Sequence, residues 1–167
     1  MPSPFLIAAT VLSIQKSRSS SDSFQKFLTG YLPRASVAIE RMDPSFFDKM
    51  FAADFTEKEG GKDFTRAESL AKVHHAFTGV KALKCQYELL SATSNASGGV
   101  ALTHMTTEAT LRPDASGLMH RVKAQNWQRE TFVHYGTTWK VRSMVEVKPI
   151  KVWVDGKRVD QQGKPKH

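Results

Sequence analysis

The spacing of apolar residues changes once along this chain, and the change divides it into helices followed by sheet. Before Val80 large apolar residues return every three or four positions, the period of a helix with one buried face. After Val80 they return every second position, as in strands with one buried face. Helices grouped ahead of strands imply an α+β fold with an antiparallel meander rather than alternating βαβ units.

Four strands fit the second half, at about 81–94, 99–111, 118–134 and 138–148, separated by "SNASGG", "RPDASG" and "YG". The segment "IKVWVDGKRV" has Asp-Gly at its centre, a strong hairpin signal. Folding "NWQRETFVHYGTTWKVRSM" (126–144) about Tyr135–Gly136 sets Phe132 opposite Trp139, Glu130 opposite Val141, Gln128 opposite Ser143 and Asn126 opposite Val145. That face carries the large apolar groups and must be buried. The other face sets Arg129 beside Arg142 and Thr131 beside Lys140, and like charges side by side require water. Placing Leu111 opposite Leu118 puts Ala101, Thr103, Met105, Thr107 and Ala109 inside, and Glu108 beside Arg121 outside. Leu83, Cys85, Tyr87 and Leu89 form the inner set of the first strand.

Three helices precede the strands. Asp22 and Gln25 form a capping-box pattern ahead of a stripe running from Phe24 to Met42, with Pro33 expected to kink or restart it. Asp43-Pro44 opens a short helix rich in phenylalanine. After the hydrophilic "TEKEGGKD", read as a loop, Thr65 and Glu68 cap a third helix that ends at Gly79. Its expected buried stripe is Ala67, Leu70, Ala71, His74 and Phe77.

Composition narrows the functional classes. The chain of 167 residues has the size of one domain. No apolar run approaches the roughly 20 residues that a spanning helix needs. "FLIAATVLSI" (5–14) and the Ser-rich 17–23 read as a loose arm or a degenerate export signal, leaving cytoplasm or export open. Three segments follow: an arm at 1–21, the α+β domain at 22–148, and a short hairpin with a basic tail at 149–167. The net charge of +8 is concentrated from Lys140 onward, where eight basic residues face three acids and only Trp153 is interleaved. A solvated edge explains this better than a nucleic-acid surface, which would interleave aromatics for stacking. Lone Cys85 reads as a small core residue, and no histidine or cysteine set has metal-ligand spacing, so neither metal nor cofactor is expected.

"DPSFFDKMFAADF" (43–55), "FTRAESLAKVHHAF" (64–77) and "RETFVHYGTTWKV" (129–141) together resemble the nuclear transport factor two-like superfamily. The closest group is its SnoaL-like branch, related to ketosteroid isomerases. The resemblance covers about residues 22–148. It implies a cone, with the three N-terminal helices packed in the concave face of a curved antiparallel sheet and a pocket between them. It also implies a homodimer through the outer sheet face, for which Val100, Leu102, Trp127 and Met144 are the candidates. Asp54 resembles the position of the ketosteroid isomerases' acidic base. The oxyanion donors of that family have no counterpart residue by residue, because the inner polar residues are Asn126, Gln128 and Glu130.

Candidate acid–base groups are therefore Asp54, raised in pKa if phenylalanines desolvate it, His74 on its helix stripe, and the inward Glu130. Each also has a structural reading: an ion pair for Asp54, a hydrogen-bonded core histidine for His74, and a pair with Arg34 or Arg66 for Glu130. Tyr87, Thr103, Asn126, Gln128 and Ser143 are candidates to orient a small, largely apolar ligand, with Phe47, Met105 and Trp139 as walls. Three functions stay open: ligand binding, acid–base catalysis on a carbonyl or hydroxyl substrate, or association with a plugged cavity.

Overall fold

A computed structural model describes the backbone of residues 4–160 and 164, and side chains from residue 22 onward. Helices α1 (Pro4–Glu40) and α2 (Ser45–Met50) lead into strands β1 (Phe51–Glu59) and β2 (Lys62–Thr65). Helix α3 (Arg66–Thr78) precedes the meander of β3 (Val80–Ser94), β4 (Gly98–Leu111), β5 (Arg121–Tyr135), β6 (Thr138–Val154) and β7 (Lys157–Val159). One sheet holds all seven strands in the order β2-β1-β6-β5-β4-β3, with β7 also paired to β6. The fold is α+β, with the helices against one face of a curved, unclosed and mostly antiparallel sheet.

Helix α1 does not begin at Asp22 but passes through the Ser-rich stretch, and it continues through Pro33. Serine costs only tenths of a kcal/mol in a helix interior, and residues 17–23 contain neither Gly nor Pro to stop propagation. The expected arm at 1–21 lies outside the described side chains. From Phe24 onward the stripe is as expected: Phe24, Leu28, Tyr31, Ala35, Ala38 and Ile39 are buried. Their rings meet Phe132 and Trp139 and close the narrow end of the cone, with Phe24 4.9 Å from Trp139 and 5.4 Å from Phe132. Gly99 lies under this cluster, where a Cβ would come within 2.5 Å of the Phe24 ring.

The cap of α3 forms as the sequence implies, whereas α2 starts one residue later than expected, with Pro44 at its N-cap. Asp43 Oδ1 accepts from the Ser45 amide at 3.0 Å ahead of α2. Thr65 and Glu68 make a reciprocal capping box on α3. The "TEKEGGKD" segment, however, is no loop. It is the β1–β2 hairpin, turned at Gly60 and Gly61, whose φ values of 57° and 76° suit a primed turn.

The registers differ from expectation by an even number. Phe132 faces Val141 rather than Trp139, because the turn falls at Gly136–Thr137, and Glu108 faces Lys123 rather than Arg121. A shift of two leaves every side chain on its face. Ala101 and Thr103 are therefore buried, and Glu108 pairs with Lys123 at 3.2 Å on the outside. Arg142 then bulges between Phe132–Val141 and Thr131–Ser143, and this odd insertion reverses the faces beyond it. Met144 pairs with Glu130 on the inner face, whereas Ser143 and Val145 oppose the outer Thr131 and Arg129. Strand β6 runs without a break through residue 148 into the Asp155–Gly156 turn and β7. There Asp155 accepts from the Arg121 amide at 2.8 Å and from His120 at 2.7 Å.

Candidate functional site

The wide end of the cone holds a cavity of about 370 Å³ between α3, β1 and the inner faces of β3–β6. Phe47, Phe51, Val73, Phe77, Leu83 and Met105 form its apolar walls, and Tyr87, Asn126 and Gln128 its polar ones. These side chains come from alternate positions on strands, from one face of α3 and, for Phe47, from α2, so the fold's periodicity sets most of the lining.

Behind Tyr87 lies Glu130, completely buried. Its Oε1 accepts from Thr103 Oγ1 at 2.8 Å and, through a short bond, from the Tyr87 hydroxyl, while Oε2 accepts from the Tyr31 hydroxyl at 3.3 Å. Among the described residues no cation pairs with it. Arg34 donates instead to the Gly30 carbonyl and Arg66 to that of Asp48, so neither forms the expected ion pair. Burial pushes the Glu130 carboxyl above its ordinary value, and the three hydroxyls pull it partly back. Burial, reinforced by the Glu130 charge, raises both tyrosines well above the usual phenol range, so each hydroxyl keeps its proton. Glu130, Tyr31, Tyr87 and Thr103 thus form an almost dry network whose only member on the cavity wall is Tyr87.

At the rim, Glu57 and Glu59 point inward from β1 and share one cation, Lys72 of α3. Lys72 Nζ lies 3.1 Å from Glu57 Oε1, makes a short contact with Glu59 Oε2, and sits 4.0 Å above the Phe64 ring. Burial lowers the ammonium pKa, but the two carboxylates outweigh this and hold it above its ordinary value. A second cavity of about 600 Å³, lined by β2, β7 and the C-terminal part of β6, shares Glu59 and Lys72 with the first.

Several expected site residues lie elsewhere. Asp54 is on the outer side of β1, exposed and paired with Arg142 at 2.8 Å. His74 is exposed on the back of α3, whose inward face is Ser69, Leu70, Val73 and Phe77. Trp139 is in the aromatic end of the cone, Thr103 is sealed behind Tyr87, and Ser143 faces outward. Phe47, Tyr87, Met105, Asn126 and Gln128 do line the cavity. Asp54 pairs with Arg142 and Glu130 with three hydroxyls, so the three acid–base candidates never converge.

On the outer face, Trp127 stacks on His104 at 4.6 Å and lies beneath Lys148 and Lys151, while Val100 is exposed and Met144 is not on that face at all. Cys85 is buried, and burial raises its thiol to about 11, which leaves little thiolate for chemistry. Among the described residues no three His, Cys, Asp or Glu side chains converge to hold a metal, and no helix is long and apolar enough to cross a membrane.

The cavity also has members that the sequence reading missed: Glu57, Glu59, Ser69, Lys72 and Met144. The first two had a usable signal, because Gly-Gly between short polar runs marks a hairpin as well as a loop.

No family model matches the sequence, and no curated protein matches it at a significant level. Solved structures do resemble it. A nuclear transport factor 2-like superfamily protein from Salmonella enterica serovar Typhimurium superposes with a TM-score of 0.61 at 11% identity, covering 77% of this chain and 92% of the other. A candidate dehydratase of the same fold family from Streptomyces avermitilis gives 0.58 at 14%, covering 76% and 97%. A type 2 hexachlorocyclohexane dehydrochlorinase gives 0.56 at 8%, covering 95% of both chains. This chain therefore has the nuclear transport factor 2-like cone fold. A fold this widely used does not assign chemistry, which must come from the site.

Proposed function

We propose that the protein binds one small, largely apolar molecule in the cone cavity. The carrying observation is the cavity itself: about 370 Å³ with mostly apolar walls and a few inward polar groups at Tyr87, Asn126 and Gln128. A plugged cone, as a pure association module needs, would have these side chains packed against one another. Homodimerisation through Val100, Leu102 and Trp127 stays a proposal compatible with ligand binding, with Met144 withdrawn from that surface. The test is calorimetric titration with decanol. We expect saturable binding of one molecule per chain. Filling the cavity with Met105→Trp and Met144→Trp should abolish the heat while the protein still melts cooperatively. Unchanged binding in the filled variant overturns the reading.

The second reading is an acid–base enzyme of the isomerase, dehydratase or cyclase kind, acting on a carbonyl or hydroxyl substrate. One observation favours it: Tyr87 presents its ring to the cavity with its hydroxyl on Glu130, a carboxyl held neutral more readily than usual. In that reading Glu130 in its protonated form donates to the Tyr87 hydroxyl, which turns its own proton to a substrate oxygen, and the reverse shift restores both groups. Asp54 and His74 have no part in it. Tyr87→Phe and Glu130→Gln should each remove turnover of any carbonyl substrate found by screening while decanol affinity stays within twofold. Turnover that survives both substitutions would exclude this chemistry.

A further inference from the structure

The rim of the cavity carries an unbalanced charge. Glu57 and Glu59 have side chains only 14% and 32% exposed, and they share Lys72, so two carboxylates face one ammonium. One formal negative charge is left over at a partly desolvated spot, where Coulomb interactions exceed those in bulk water several-fold. The other charges nearby are weaker candidates to balance it, because Lys62 and Arg158 of the adjoining cavity are exposed and screened.

A second observation lies one helical turn deeper. Ser69 is 2% exposed and lines the cavity, and its hydroxyl has no hydrogen-bond partner. A buried hydroxyl left unpaired is costly, and such groups in native proteins ordinarily meet a ligand or water. Asn126 Oδ1, across the cavity on β5, is likewise buried without a partner. Ser69 and Lys72 are three residues apart on α3, hence on one face and about 4.5 Å apart along its axis.

Resting on the binding reading above, we infer that the cavity selects an apolar amine: a cationic ammonium joins Glu57 and Glu59 at the rim, and a hydroxyl or carbonyl two or three bonds along meets Ser69. The apolar remainder fills the space between Phe77, Leu83 and Met105. An acid of the same length would bring its carboxylate against Glu57 and be disfavoured.

The experiment compares decylamine, decanol and decanoate on the full chain, with 1-amino-2-decanol as a fourth probe. Wild type should bind decylamine at least tenfold more tightly than decanoate, with decanol between them. The amino alcohol should exceed decylamine by about threefold, and Ser69→Ala should erase that gain alone. Glu57→Gln with Glu59→Gln leaves the Lys72 ammonium alone at the rim and should carry the amine-to-acid ratio below one. The wild-type comparison needs no variant, so it decides the sign of selection even if the double substitution fails to fold. Decanoate binding as tightly as decylamine, or a ratio unchanged by the double substitution, overturns the inference and leaves the cavity reading standing. If none of the four probes binds, the cavity reading falls as well.

Discussion

The cone handles inward-facing carboxylates in two different ways, and depth decides which. Glu130, at the closed end, has no exposed surface and no cation; three hydroxyls donate to it, and burial favours its protonated form. Glu57 and Glu59, at the open end, keep some contact with water and rely on Lys72. A charge at the deep site would pay a large desolvation penalty that hydroxyl bonds only partly offset. At the rim that penalty is smaller and an ion pair suffices. The protein thus places a near-neutral polar network where the cavity ends and a charged one where it opens.

Removing the deep acceptor should have the largest effect. Glu130→Leu leaves the Tyr31, Tyr87 and Thr103 hydroxyls without their acceptor, and should cost about 3 kcal/mol in urea unfolding, since each orphaned buried hydroxyl costs about 1–3 kcal/mol. Glu130→Gln, which keeps an acceptor oxygen, should cost no more than about 1 kcal/mol. The sign of its pH dependence is fixed. Because the folded state raises the Glu130 pKa above its ordinary 4.5, its contribution is fully present below that value and is lost as pH rises through the folded one. Wild type should therefore lose stability relative to Glu130→Gln on going up from pH 4.5. The opposite slope would mean that the hydroxyls outweigh burial.

An intermediate effect is expected at the rim. Lys72→Met leaves two neighbouring carboxylates uncompensated and should cost about 1 kcal/mol at neutral pH, a value already reduced for solvent screening. The loss should shrink in concentrated salt, which screens the pair. A loss as large in concentrated salt as in dilute buffer would place the lysine's role in packing instead. The smallest effect belongs to the outer face. Asp54→Asn breaks an exposed pair with Arg142 and should change stability by less than about 0.5 kcal/mol, with decanol affinity unaltered. A tenfold loss of affinity there would return Asp54 to the site.

How much of this was legible in the sequence follows from parity. The inner lining from Tyr87, Met105, Asn126 and Gln128 could be read because alternation fixes a face, and errors of two residues in register preserve it. Ser143 and Met144 were assigned to the wrong faces because the bulge at Arg142 is an odd insertion that no composition signal marks. The α3 stripe was read about one residue out of phase, since Ala67 and Ala71 suit a buried or an exposed face equally, and His74 was carried inward with them. Strand β1 was hidden by its own charges. Its inward positions near the rim are Glu57 and Glu59, so the apolar alternation that announces a strand is absent where the cavity mouth is charged.

The most direct test of an open, ligand-accepting cone uses methionine methyl resonances as reporters. Met105 and Met144 lie on the cavity wall, whereas Met119 is 51% exposed outside it. Titrating decanol into protein labelled at methionine methyl groups should shift the Met105 and Met144 signals saturably, with one shared dissociation constant, and leave Met119 in place. Shifts confined to Met119, or none at the two inner methyls, would contradict the account.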